Sequence, residues 1–130
     1  MSDENLALVT QIHERWLAGE HARDLISEEI EYVNPPYAVE AGVKRGRGTL
    51  GAIRDIYPDF RFEPEEYREA GEKVVVIGVA RGTSQSGVQA QWRQGYVWTV
   101  RDGRAVRFSW FSDPAEALRD AGLADDAAPG

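Results

Sequence analysis

Residues 91–112 read QWRQGYVWTVRDGRAVRFSWFS, and the reading of this stretch decides the fold. Asp102-Gly103 stands at its centre between alternating apolar residues. Both positions tolerate positive φ, which a two-residue hairpin loop requires. Val88–Arg101 and Ala105–Ser112 are therefore expected to be antiparallel strands. A loop of that length sets Arg101 opposite Arg104, Thr99 opposite Val106, Val97 opposite Phe108, Gly95 opposite Trp110 and Arg93 opposite Ser112. Side chains alternate along a strand. One face then carries Arg93, Gly95, Val97, Thr99, Phe108 and Trp110, and the other Trp92, Gln94, Tyr96, Trp98 and Phe111. Both faces are rich in apolar bulk, whereas a sheet with one solvated face shows a polar side. One face is expected to cover helices. The other, with Trp92, Tyr96, Trp98 and Phe111, is expected to meet a second copy in a homodimer, since aromatic patches of this size mark interfaces.

Working outward, Lys73–Thr83 is a further strand, joined through a turn at 84–87, and it adds Val74, Val76, Gly78 and Ala80 to the first face. Phe60 and Phe62 open another strand, in which Pro64 marks an edge or bulge. Upstream, Leu6, Val9, Ile12, His13, Trp16 and Leu17 recur at helical spacings over 5–18, and Gly19 stops that helix. A short turn at His21–Ile26 precedes a strand at Glu29–Asn34, which Pro35-Pro36 ends. Residues 35–48 read as loop and Thr49–Tyr57 as a helix. Downstream, Asp113, Pro114 and Glu116 open a capped helix that Gly122 closes. Helices followed by an antiparallel meander make an α+β class, one domain over 1–123 with a disordered tail at 124–130.

The composition narrows the function. The chain has 130 residues, no cysteine, a net charge of −7, and four Trp, five Tyr and four Phe. Thiolate metal sites, disulfides and cysteine nucleophiles are excluded. The acidic balance, without a compensating Lys/Arg cluster, argues against nucleic acid. The longest apolar run, Val74–Val79, is far short of a bilayer span, so no membrane partner is expected. The acidic start Met1–Glu4 lacks a signal-peptide pattern, and a cytoplasmic location is expected. There is no P-loop and no dinucleotide fingerprint, and the two histidines have no metal-ligand spacing. No cofactor and no metal are expected.

The order of these elements resembles the SnoaL-like (polyketide cyclase-like) branch of the nuclear transport factor 2-like superfamily. Arg15–Glu20, Glu31–Pro36, Lys44–Arg47, Val97–Arg104 and Phe111–Leu118 carry the resemblance over residues 5–123. It implies a cone, with a curved antiparallel sheet wrapped around N-terminal helices and an apolar pocket at the open end (a cystatin-like fold). It also implies homodimers through the convex sheet face, and a pocket for a small planar or cyclic organic molecule. Relatives include cyclases, isomerases and epoxide hydrolases, alongside proteins without known activity.

Tyr32-Val33-Asn34 resembles the Tyr-x-Asn segment with which limonene epoxide hydrolase positions its water. The same residues can equally be core and a strand-end hydrogen bond. That enzyme's Arg-x-Asp pair falls on Gly78 and Ala80 and its second aspartate on Trp110, which cannot abstract a proton. Asn34 also falls where ketosteroid isomerase has its basic aspartate, and an amide is no base. Among titratable candidates, His13 lies on the apolar side of its helix, either as a proton carrier or as a satisfied structural residue. The candidate catalytic residues are thus Tyr32, Asn34 and His13. The candidate ligand contacts are Trp16, Tyr37, Tyr57, Phe60, Phe62, Arg93, Phe108 and Trp110. By the register above, Arg93 points into the cone, there to meet a ligand anion or to reach the rim and an acid such as Glu40. Gly78, Ala80 and Gly95 make either a slot beside Trp110 or room for neighbouring chain. Glu63, Glu65, Glu66, Glu69 and Glu72 read as a solvated strand edge. An enzyme and a non-catalytic binding or assembly domain both stand, and the openness of the cone separates them.

Overall fold

The computed structural model describes residues 2–38, 42–46 and 57–123. Helix α1 (Ser2–Leu17) buries Val9, Ile12 and His13 along one stripe, and Gly19, at φ +80°, ends it. A 3-10 turn at Arg23–Leu25 leads into β1 (Ile26–Asn34). Then come β2 (Gly42–Arg45), β3 (Arg61–Ala70), β4 (Lys73–Thr83), β5 (Gln89–Arg101), β6 (Arg104–Phe111) and helix α2 (Pro114–Asp120). The α2 cap is the expected one: Asp113 Oδ1 accepts from the Ala115 N–H at 3.0 Å, with Pro114 opening the helix. The expected helix over 49–56 and the tail at 124–130 lie outside the described residues.

The strands form one curved, unclosed sheet in the order β2-β1-β6-β5-β4-β3. The expected meander is its β3–β6 part. Two features extend it. β2 forms within the stretch read as loop, pairing antiparallel with β1, and all four of its residues are exposed. With nothing to bury, it has no hydrophobic alternation from which to be read. β1 lies parallel to β6, so the sheet is not wholly antiparallel.

The hairpin turn is as expected, with Asp102 at φ 51° and Gly103 at φ 75°. The register beyond it is not. Arg101 faces Arg104 and Val100 faces Ala105, but Thr99 then faces Arg107, Trp98 faces Phe108 and Tyr96 faces Trp110. Val106 is an extra residue in β6, a bulge directly after the turn. Because the side-chain period is two, one extra residue exchanges the faces of everything beyond it. Trp92, Tyr96 and Trp98 therefore point inward together with Phe108 and Trp110. Trp98 is wholly buried and Tyr96 is 6% exposed within the single chain. They do not form the expected partner face. Of that set only Phe111 lies on the outer face, where it packs beside α2. Arg93 also turns outward and pairs with Glu65 at 2.9 Å, so it is no pocket residue.

The inner face carries the larger core. Val9 and Ile12 of α1 pack with Val74, Val76, Ala80, Tyr96, Trp98 and Phe108. Burying an aromatic or large aliphatic side chain contributes roughly 1.5–3 kcal/mol, so this cluster dominates stability. The outer face carries a smaller one, in which Ala117 and Leu118 of α2 cover Val75, Ile77 and Val97. The glycines fit chain against chain. A Cβ at Gly95 would lie 2.6 Å from the Ala117 Cβ, and one at Gly78 would lie 2.2 Å from the Glu63 carbonyl oxygen. Gly78 accommodates β3 where its register shifts between Pro64 and Glu66. These positions make room for neighbouring chain, not a ligand slot.

Candidate functional site

On the inner face, a buried group of rings around His13 lies beside a partly exposed polar group around Tyr32. The ring of His13 lies 5.5 Å from Trp16, 5.5 Å from Phe62, 5.7 Å from Trp98 and 5.9 Å from Tyr96, on which it stacks at 9°. The Trp98 Nε1–H donates to His13 Nε2 at 3.1 Å. That bond fixes the neutral ring with its proton on Nδ1. Burial lowers the His13 pKa from 6.5 to about 3. This is a structural histidine without a charge to offer at neutral pH, and its partner is an indole. Trp16 packs on the same group, 5.7 Å from Trp98.

Farther along this face, β1 supplies Tyr32 and Asn34, each partly exposed. Tyr32 stacks on Phe108 with ring centroids 5.3 Å apart, and burial pushes its hydroxyl up to about 12. Asn34 Oδ1 accepts from the Trp110 Nε1–H at 2.6 Å. Tyr37 meets the Trp110 edge at 6.2 Å, and its hydroxyl oxygen accepts from the Ser112 N–H at 2.9 Å. Across the sheet, the Tyr96 hydroxyl donates to Gln94 Oε1 at 2.9 Å. Burial raises the Tyr96 pKa well above the phenol range, and Tyr32 nearby adds to the shift. Trp92 stands above them between Tyr57 at 5.4 Å and Phe60 at 6.2 Å, and Phe62 contacts Tyr96 at 4.3 Å. Among the described residues, the Tyr32 hydroxyl and the Gln94 amide nitrogen make no hydrogen bond.

The structure thus brings Tyr32, Asn34, Tyr37, Tyr57, Phe60, Phe62, Phe108 and Trp110 to one face. It places His13 and Trp16 beneath that face and Arg93 on the opposite one. Gln94, Tyr96 and Trp92 were assigned to the wrong face by the hairpin register. The signal that places them is the polar set of β5 and β6. Arg93, Thr99, Arg101, Arg107 and Ser109 share one face only if a residue is added after the turn. Glu69 departs from the solvated edge. It faces inward opposite Val74, and its Oε2 is buried without a hydrogen bond. Arg45 lies on the outer surface, paired with Glu31 at 3.0 Å. Glu40 lies outside the described residues. Two cavities lined by described residues lie elsewhere, one on the exposed side of α1 and one on the outer face of the sheet. No group of acidic, histidine or cysteine side chains among the described residues has the makings of a metal site.

The model of the SnoaL-like domain family matches residues 9–108. The chain belongs to the SnoaL-like family. No curated protein matches this SnoaL-like chain. Among solved structures it is similar to an NTF2-like protein of unknown function from Burkholderia pseudomallei, at 28% identity and TM-score 0.68, covering 89% of this chain and 95% of that one. It is similar to TerC, co-crystallised with polyporic acid, at 23% identity and TM-score 0.71, covering 94% and 98%. A Jannaschia protein named for its likeness to SnoaL-like polyketide cyclases matches at 16% identity and TM-score 0.72, covering 95% and 94%. At the latter two identities the likeness is one of fold. No helix among the described residues is long and apolar enough to cross a membrane.

Proposed function

We propose that this SnoaL-like protein binds a small, uncharged, planar or cyclic organic molecule at the mouth of the cone, without acid–base catalysis. The observation that carries this reading is the pairing of aromatic walls with uncharged polar groups. Among the described residues, the Tyr32 hydroxyl and the Gln94 amide nitrogen make no hydrogen bond there, beside Phe108, Trp110 and Trp92. An apolar concavity with a few converging polar groups is the usual form of a small-molecule site. Rings give a flat ligand a stacking surface. A hydroxyl and an amide N–H both donate, so the ligand presents carbonyl or ether oxygens. Proton transfer at neutral pH finds no support from His13 at about 3 or Tyr32 at about 12.

Calorimetric titration with 1,4-naphthoquinone, a planar and uncharged dicarbonyl, tests the reading. Binding is expected, and Tyr32→Phe, which removes one donor, is expected to weaken it about five- to tenfold. Equal affinity in the two proteins, or none in the native one, sinks the assignment of the mouth.

A further inference from the structure

Gln94 stands on the inner face of β5 between Trp92 and Tyr96, opposite Gly78, and is 8% exposed. A primary amide has two unlike ends. Its oxygen accepts hydrogen bonds and its nitrogen donates them, so turning the group over reverses what it recognises. The bonds around the amide set which end faces which way.

Tyr96 makes the deciding bond, its hydroxyl donating to Gln94 Oε1 at 2.9 Å. Tyr96 is 6% exposed, and burial holds its proton in place at neutral pH. Its ring neighbours are Phe62 at 4.3 Å, Phe108 at 4.8 Å and His13 at 5.9 Å. Two of these are hydrocarbon rings, and the acceptor nitrogen of His13 already serves the Trp98 N–H. The Tyr32 hydroxyl is close enough to raise the Tyr96 pKa, and among the described residues the two hydroxyls make no bond to each other. The buried O–H is thus directed to the amide oxygen. Turning the amide over would set an N–H against the phenol oxygen and strand that O–H. A stranded buried donor costs more than an ordinary hydrogen bond contributes. The oxygen therefore faces Tyr96 and the nitrogen faces away from it.

We propose that Tyr96 is a positioning residue: by holding the Gln94 oxygen it turns the amide nitrogen to the ligand, and the site thereby selects a ring ketone or quinone over a ring of the same shape whose polar atom is an N–H donor. This rests on the reading that a planar molecule binds beside Tyr32 and Gln94, and it names the residue that sets the polarity of the site. The Tyr32 hydroxyl rotates and can serve a donor or an acceptor. Gln94, held by Tyr96, serves acceptors. A carbonyl oxygen takes the amide N–H, whereas a ring N–H meets a second donor there. A mismatch of this kind discriminates between ligands that differ little in shape.

The test is a calorimetric titration of the full chain with 1-indanone, which only accepts, and with indole, which only donates. Both are planar bicyclic rings of nearly equal size. The native protein is expected to bind 1-indanone about tenfold more tightly than indole. Tyr96→Phe keeps the buried ring and frees the amide to turn, so the ratio is expected to fall to about twofold or less. A merely structural role would weaken both ligands in proportion and leave the ratio unchanged. Gln94→Glu presents a carboxylate that only accepts. It is expected to reverse the preference, and it keeps the test valid if Tyr96→Phe misfolds. A native ratio near one, or a ratio unmoved in Tyr96→Phe or in Gln94→Glu, overturns the proposal and leaves the binding site standing. Failure of both rings to bind the native protein overturns the reading of the site, and the proposal with it.

Discussion

His13 shows how one side chain is decided by its surroundings. Its helical position marks it as facing the core, and the same position suits a catalytic base or a structural ring. Burial decides between them, because charging an imidazole among the rings of Trp16, Phe62, Tyr67, Tyr96 and Trp98 has no compensating anion. The consequence is measurable. The folded ring gains a proton only near pH 3, whereas the unfolded one does so near 6.5. Between these values the unfolded state binds more protons, so stability is full above pH 6.5 and falls as the pH drops through the window. The slope is about 1.4 kcal/mol per pH unit, or about 2 kcal/mol lost by pH 5. Urea unfolding at pH 7 and pH 5 measures it. His13→Gln, which cannot titrate and can still accept from Trp98, is expected to lose less by roughly that amount. Identical losses would mean that the ring is open to protons in the folded state. Asn34 was legible in a different way. Its place before Pro35 marked a strand end, and the structure adds the Trp110 indole as its donor. No sequence spacing could supply that partner, which comes from a strand 76 residues away.

Between elements, spacing and close approach carry the information. The Asp102-Gly103 turn was legible because its backbone requirement is local. The bulge after it was not, because one unpaired residue leaves no local mark and is fixed by which face must be buried. Gly95 shows the same dependence. Its missing side chain reads as lost bulk until α2 is placed over it, with the Ala117 Cβ where a Cβ of residue 95 would go. Gly95→Ala is expected to cost about 1–3 kcal/mol by overpacking. Ala117→Gly alone is expected to cost about 1 kcal/mol through helix propensity. Combined, they should be less destabilising than their sum, because the second change removes the methyl that the first one strikes. Chemical denaturation of the three variants measures this, and strict additivity would refute the contact. For the cap, Asp113→Ala is expected to cost about 1 kcal/mol of stability in the same assay.

Across the whole molecule, one sheet separates two cores of unequal size. Val74, Val75, Val76, Val97 and Trp98 lie at the centre with 2% exposure or less. α2 is seven residues long and rests on the smaller outer cluster. Local opening follows the density of buried contacts. In native-state hydrogen exchange, the amides of β4 and β5 should be the slowest and those of α2 distinctly faster. Equal protection would show that the outer cluster opens only with the global core. The sequence by itself determined the helix stripe, the strands β3 to β6, the hairpin turn, the α2 cap and the α+β class. These rest on local backbone preference and on periodicity within one segment. Tertiary structure alone decided which face is inside, the partner of His13, the exposed strand β2, the parallel seating of β1 and the grouping of Tyr32 with Gln94 and Tyr96. Each of these depends on a contact between distant segments, and a single inserted residue in β6 reverses every face beyond it.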